Sequence, residues 1–177
     1  MDQLIQYWRI YNHIIPMLVI SLVIILLIFI LIFFIRIKKK QVDILKRTVL
    51  ELLISLNVIS ICFVTLYPTG MKENHIIDLR LSISSMMSQG TESFINLLLF
   101  LPLAYFCSLR IKFLSKYYLV LCFVIFSLLI EVSQYVLPLG RITTLNDVIL
   151  NSVGAVIGII LSKLYLKVMN KEVNSYA

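Results

Sequence analysis

Apolar residues run almost unbroken from Ile14 to Ile35, from about Val49 to Tyr67, from Phe94 to Leu109, from about Tyr117 to Leu137, and in a segment that begins at Asp147 and ends near Leu166. Four of these runs come close to the roughly 20 residues that carry a helix across the hydrocarbon of a bilayer. The first, at about 22 residues, would reach roughly 33 Å as a helix. The run from Phe94 to Leu109 is shorter and contains Pro102. That combination predicts a kinked or partly re-entrant third helix whose freed backbone groups protein must cover. Pro68-Thr69-Gly70 and Pro138-Leu139-Gly140 stop the second and fourth helices. The polar stretch 68–92 between helices two and three is long enough that some local structure is expected in it.

Charge sets the orientation. Arg36, Lys38, Lys39, Lys40, Lys46, Arg47, Arg110, Lys112, Lys116, Lys163, Lys167 and Lys171 account for 12 of the 16 basic residues, and they fall on alternate connections. Arg9, Lys72, Arg80 and Arg141 make up the remainder on the other side. Positive charge gathers on the cytoplasmic side, so the asymmetry predicts an amino terminus outside and a carboxyl terminus inside. The basic cluster follows the first apolar run instead of preceding it, which predicts an uncleaved helix, with Tyr7, Trp8 and Tyr11 in an outer aromatic belt. The expected fold is therefore an all-α integral membrane protein of about five transmembrane helices. Residues 1–47 would form an extra helix and basic cytoplasmic loop, 48–167 a four-helix membrane domain, and 168–177 a cytoplasmic tail.

Composition agrees with that solvent. The chain of 177 residues is 60% hydrophobic, against the roughly 45–50% of an ordinary soluble domain. The net charge of +7 is a topology signal and a match to anionic inner-leaflet lipid, not evidence for nucleic acid. Cys62, Cys107 and Cys122 lie within apolar runs, where a thiol behaves as a small hydrophobe, and His13 and His75 are isolated, so no metal site or cofactor is expected. Glu51 stands near the inner end of its helix and is expected to pair with Lys46 or Arg47.

The polar residues inside the apolar runs are grouped. Ser127, Glu131 and Gln134 share one face of the fourth helix; Asp147, Asn151, Gly154 and Gly158 share one face of the fifth; Arg141 lies in the turn between. A carboxylate at the centre of a membrane helix costs roughly 2.5–3.5 kcal/mol, so Glu131 is expected to face protein, a wet cavity or a cation. Glu92 and Asn96, one turn apart at the outer start of the third helix, can join the same cluster. Gly154 and Gly158 form a small-xxx-small seam that lets a neighbouring helix approach closely, either within the chain or in a second copy. Two readings of the cluster stand side by side. In the first, the groups satisfy one another, Glu131 or Asp147 with Arg141 and Asn96 with Asn151; in the second, they line a ligand site at the outer leaflet.

Phe94-Ile95-Asn96-Leu97-Leu98-Leu99-Phe100-Leu101-Pro102-Leu103, then Ser127 to Gln134 with Glu131, then Asp147-Val148-Ile149-Leu150-Asn151-Ser152-Val153-Gly154-Ala155-Val156-Ile157-Gly158 together resemble the VanZ-like family of bacterial membrane proteins. The resemblance covers about Val49 to Leu166. Many relatives have further Asp residues where Thr144 and Asn146 stand here, and a proline in the stretch corresponding to Leu81 to Met87. The resemblance implies a multi-pass protein of the bacterial cytoplasmic membrane, in a family whose founding member is associated with resistance to teicoplanin, a glycopeptide that bears a fatty acyl chain.

The expected function is that of a small envelope protein that lowers susceptibility to teicoplanin-type lipoglycopeptides. It would do so by binding an amphiphilic or lipid-linked molecule, such as membrane lipid, a cell-wall precursor or the lipoglycopeptide itself, at Asn96, Glu131, Gln134, Arg141, Asp147 and Asn151. Ser127, Pro102, Gly154 and Gly158 would serve helix packing. One rival is an intramembrane enzyme acting on a lipid head group, with Glu131 and Asp147 as acid and base; no nucleophile and base pair is evident in the sequence. The other is a small ion-coupled carrier, for which the chain shows no paired repeats, although self-association through the glycine seam would repair that.

Overall fold

The computed structural model describes residues 14–67, 77–78, 90–137, 139 and 143–175. Almost all of them are helical: α1 (Ile14–Lys38), α2 (Ile44–Leu66), α3 (Gly90–Arg110), α4 (Lys116–Val136) and α5 (Leu145–Ser175). Four helices contain stretches long and apolar enough to cross a membrane, namely Leu18–Lys38, Ile44–Leu66, Lys116–Val136 and Leu145–Asn170; Phe94–Arg110 is a shorter apolar helix. Two short strands, β1 (Ile77–Asp78) and β2 (Thr143–Thr144), pair in parallel, Ile77 opposite Thr143 and Asp78 opposite Thr144. This pairing fastens the long connection before α3 to the turn between α4 and α5. It was not foreseen from the sequence, since two-residue strands leave no periodicity to read.

The chain divides into two compact units, Met1–Leu52 and Leu53–Ala177. In the first, α1 leaves Val19, Val23, Leu27, Leu31 and Phe34 exposed along one broad face, as a helix face solvated by lipid does. A tight turn with positive φ at Lys40 and Asp43 reverses the chain into α2. The Arg36 guanidinium spans this reversal: Nη2 meets Glu51 Oε2 at 2.6 Å and Nη1 donates to Thr48 Oγ1 at 3.0 Å. Glu51 thus has Arg36 as its ion-pair partner, where the sequence pointed to Lys46 or Arg47. A helix neighbour three or four residues away is close in sequence, but the turn brings Arg36 alongside.

In the second unit, the later part of α2 packs with α3, α4 and α5 around Ile61, Phe100, Leu103, Ala104, Phe123, Ile130, Ala155 and Ile159. Phe100 is completely buried and sets its ring edge-to-face on Phe123, with centroids 6.4 Å apart. The most extensive contact is between α3 and α5, and glycine is the reason. A Cβ at Gly154 would lie 2.2 Å from the carbonyl oxygen of Leu97, and one at Gly158 would lie 2.2 Å from that of Leu101. The seam therefore seats α3 of the same chain. Pro102 follows directly, inside α3, where it cannot donate to the carbonyl of Leu98.

Candidate functional site

Ser127, Ile130, Glu131 and Gln134 are all buried on α4, and Asn151 is buried on α5, while Leu128, Leu129, Val132 and Val136 are exposed. The helical repeat separates the two sets: positions i, i+3, i+4 and i+7 face the bundle, and Leu128, Leu129 and Val132 face outward. Glu131 is 5% exposed, and its carboxylate is engaged. Oε2 accepts the backbone N–H of Thr144 at 3.0 Å, and the Thr143 hydroxyl donates to the Glu131 carbonyl at 3.3 Å. The acid thus holds the strand and turn that lead into α5.

Thr144 does further work at the same spot. It is the residue before the first turn of α5, and its Oγ1 accepts the N–H of Asp147 at 3.1 Å. A hydroxyl there satisfies one of the donors that every helix start leaves open. Asp147 also lies in the first turn, where a carboxylate is favoured by the helix dipole, and its Oδ1 accepts from Asn96 Nδ2 on α3. Asn96 is therefore joined to Asp147, not to Asn151. Gln134 turns toward α2, where Nε2 donates to the carbonyl of Thr65 at 2.8 Å, one of the last carbonyls of that helix.

Asn151 is the odd member of the group. Its Nδ2 donates to Ser127 Oγ at 2.9 Å, between two buried side chains. Its Oδ1 is buried and has no hydrogen-bond partner among the described residues. Reversing the amide would let Ser127 donate to Oδ1 and would leave the nitrogen in its place, so one arm has spare capacity in either orientation. Leaving such a group buried and unmet costs about 1–3 kcal/mol.

A second polar cluster occupies the opposite end of the same helices. Ser162 and Ser108 are buried with their hydroxyl oxygens 2.6 Å apart. Lys116 Nζ, at the start of α4, donates to Ser108 Oγ at 2.8 Å and to the Ser108 carbonyl at 3.1 Å. A cation on the last carbonyls of α3 suits the negative end of that helix. Nothing in the residue order points to this cluster: serine is common in membrane helices, and 54 positions separate the two.

Of the positions singled out in the sequence, Asn96, Ser127, Glu131, Asp147 and Asn151 lie together at the end where α4 joins α5. Gln134 lies there too but faces α2, and Gly154, Gly158 and Pro102 lie along the contact of α3 with α5. Arg141 is outside the described residues, as are Tyr7, Trp8, Tyr11, His13, His75, Leu81 to Met87 and the side chain of Glu92. Among the described residues no group of three or more His, Cys, Asp or Glu side chains could hold a metal ion.

No curated protein and no solved structure matches the chain. A family model described as VanZ/LLP1 matches residues 19–166. That span takes in most of α1 as well as α2 to α4 and much of α5, and so extends further toward the amino terminus than the resemblance from Val49 onward. It contains Asn96, Ser127, Glu131, Asp147 and Asn151. With four membrane-length helices and a match over most of its length, the chain belongs to the VanZ/LLP1 family.

Proposed function

We propose that this protein is a multi-pass protein of the bacterial cytoplasmic membrane that lowers susceptibility to teicoplanin-type lipoglycopeptides. It does so by binding an amphiphilic or lipid-linked molecule at the end where α4 meets α5. Family membership is consistent with a teicoplanin-resistance type of membrane protein. In this reading the amino terminus is outside and the carboxyl terminus inside, so the cluster of Asn96, Glu131, Asp147 and Asn151 opens toward the outer leaflet. In this reading α3, whose apolar part is short and which kinks at Pro102, lines one wall. Residues 48–167 are the working membrane domain, 1–47 an added helix with its basic loop, and 168–177 a cytoplasmic tail.

The observation that carries the reading is the spare amide arm of Asn151, buried in a group that otherwise bonds internally. Glue alone has no use for an unmet amide arm, whereas a binding group holds one for a polar group of its ligand. Glu131 orders the start of α5 beneath that ligand. Arg141, in the turn between α4 and α5, offers the fixed fork of donors that suits a phosphate or carboxylate head group. Expression in a susceptible Gram-positive host is the test. The expected result is a several-fold rise in the inhibitory concentration of teicoplanin over empty vector, with little change for vancomycin, which lacks the acyl chain. No rise at verified membrane abundance would contradict the resistance role.

A further inference from the structure

The first unit carries a groove that the outer cluster does not involve. Leu26, Phe29, Ile30 and Phe33 on α1 face Leu45, Thr48, Val49 and Leu52 on α2, around an open apolar space of about 190 Å³. A dry cavity of roughly 150 Å³ is enough to hold a benzene-sized molecule, so this space is too small for a whole lipid and suits a segment of one acyl chain. From Leu26 to Phe33 it follows roughly 10 Å of helix. Only Thr48 brings a polar group to its lining, and that hydroxyl is occupied by Arg36. The groove is thus an apolar surface, part aliphatic and part aromatic, with no hydrogen bond to offer.

What lies beside the groove is the α1–α2 turn. Lys38, Lys39, Lys40, Lys46 and Arg47 are all exposed there. Asp43 is the one acid in the turn, and Glu51 is paired with Arg36. The Arg36 pair ties the two helices together one turn beyond Phe33, which fixes the end of the groove next to the cations. The reversal, with positive φ at Lys40 and Asp43, places Lys38, Lys39 and Lys40 at that same end of the helix pair. Charge and apolar surface therefore meet in one place, in the order in which a phospholipid presents phosphate and chain.

We infer that the groove between α1 and α2 is a binding site for an anionic phospholipid, with one acyl chain along Leu26 to Phe33 and the phosphodiester on the lysines of the turn. The site is separate from the outer cluster and does not depend on its function. Each basic residue near a membrane surface contributes about a fivefold factor in affinity for anionic lipid.

The test uses the full chain in neutral detergent, with phosphatidylglycerol and phosphatidylcholine of the same acyl chains, and reads bound lipid by native mass spectrometry. Wild type should retain phosphatidylglycerol at least tenfold better than phosphatidylcholine. The Lys38→Gln, Lys39→Gln, Lys40→Gln triple variant should lose most of that preference. Val49→Phe, which fills the groove from an exposed position, should lower retention of both lipids while leaving their ratio in place. Ile30→Phe repeats the filling from α1 should Val49→Phe fail to accumulate. Equal retention of the two lipids by wild type would overturn the inference. So would full retention by both groove-filling variants, which would leave only a charged surface with no seat for a chain.

Discussion

The two ends of the α3, α4 and α5 bundle hold polar groups of different kinds. At one end, Ser108, Ser162 and Lys116 close on one another: hydroxyl meets hydroxyl, and the ammonium takes both a hydroxyl and the Ser108 carbonyl in the last turn of α3. At the other, carboxylates and amides bond across three helices and still leave one arm of Asn151 unmet among the described residues. A cluster that merely fastens helices has every reason to spend its hydrogen-bonding capacity, because an unmet polar group is most costly where water is scarce. The first end has the character of a fastening. The second keeps something in reserve, and that difference is the ground for placing a ligand there.

The largest effect should come from breaking what the two ends have in common. Gly158→Val would drive a side chain into the carbonyl of Leu101, backbone that cannot step aside, and so would push α3 away from α5. Overpacking of this kind costs about 1–3 kcal/mol, more when only backbone stands in the way. Immunoblots of membrane fractions should show steady-state abundance reduced several-fold or more. Normal abundance of Gly158→Val would mean that α3 and α5 do not pack as described.

A smaller effect isolates the fastening end. Replacing both Ser108 and Ser162 with alanine removes the paired hydroxyls together, which leaves no buried donor stranded, and Lys116 keeps its carbonyl acceptor. Removing both partners of a hydrogen bond is milder than removing one, so the expected cost is about 0.5–1 kcal/mol. The thermal midpoint in detergent should fall by a few degrees, and teicoplanin susceptibility should match wild type. A loss of phenotype at normal abundance would erase the distinction between the two ends.

Much of this architecture can be read from residue order. The helices begin and end within about five residues of the apolar runs, because length and hydropathy dominate in a membrane, except that α5 continues to Ser175, well beyond Leu166. Residues at helical spacing, such as Ser127, Glu131 and Gln134, can be assigned to a common face for the same reason. Partners are another matter. Periodicity says which face turns inward and nothing of what it meets, so Asn96 could be matched with Asn151 on paper while the fold gives it Asp147. Glu51 finds Arg36 because a turn with two positive φ angles carries it there, and no local pattern announces such a turn at Lys40 and Asp43. The contact of Ser108 with Ser162 depends on how far α3 slides along α5, which the position of Leu97 and Leu101 opposite Gly154 and Gly158 decides. The value of Thr144 lies in a helix cap and a backbone donor to Glu131 that only the folded turn reveals.

The contrast between the ends comes to rest on Asn151. Replacing Asn151 with leucine and Ser127 with alanine together removes both partners of their bond and the unmet arm, and strands no buried hydroxyl. For a merely fastening pair, trading both partners for apolar side chains is nearly neutral or stabilising. The decisive measurement is the teicoplanin inhibitory concentration of cells expressing wild type or the Asn151→Leu, Ser127→Ala double variant at matched membrane abundance, together with the thermal midpoint of each protein. The account predicts an unchanged or higher midpoint with the resistance gone. An inhibitory concentration equal to that of wild type would contradict it, because the group held in reserve would then have nothing to bind.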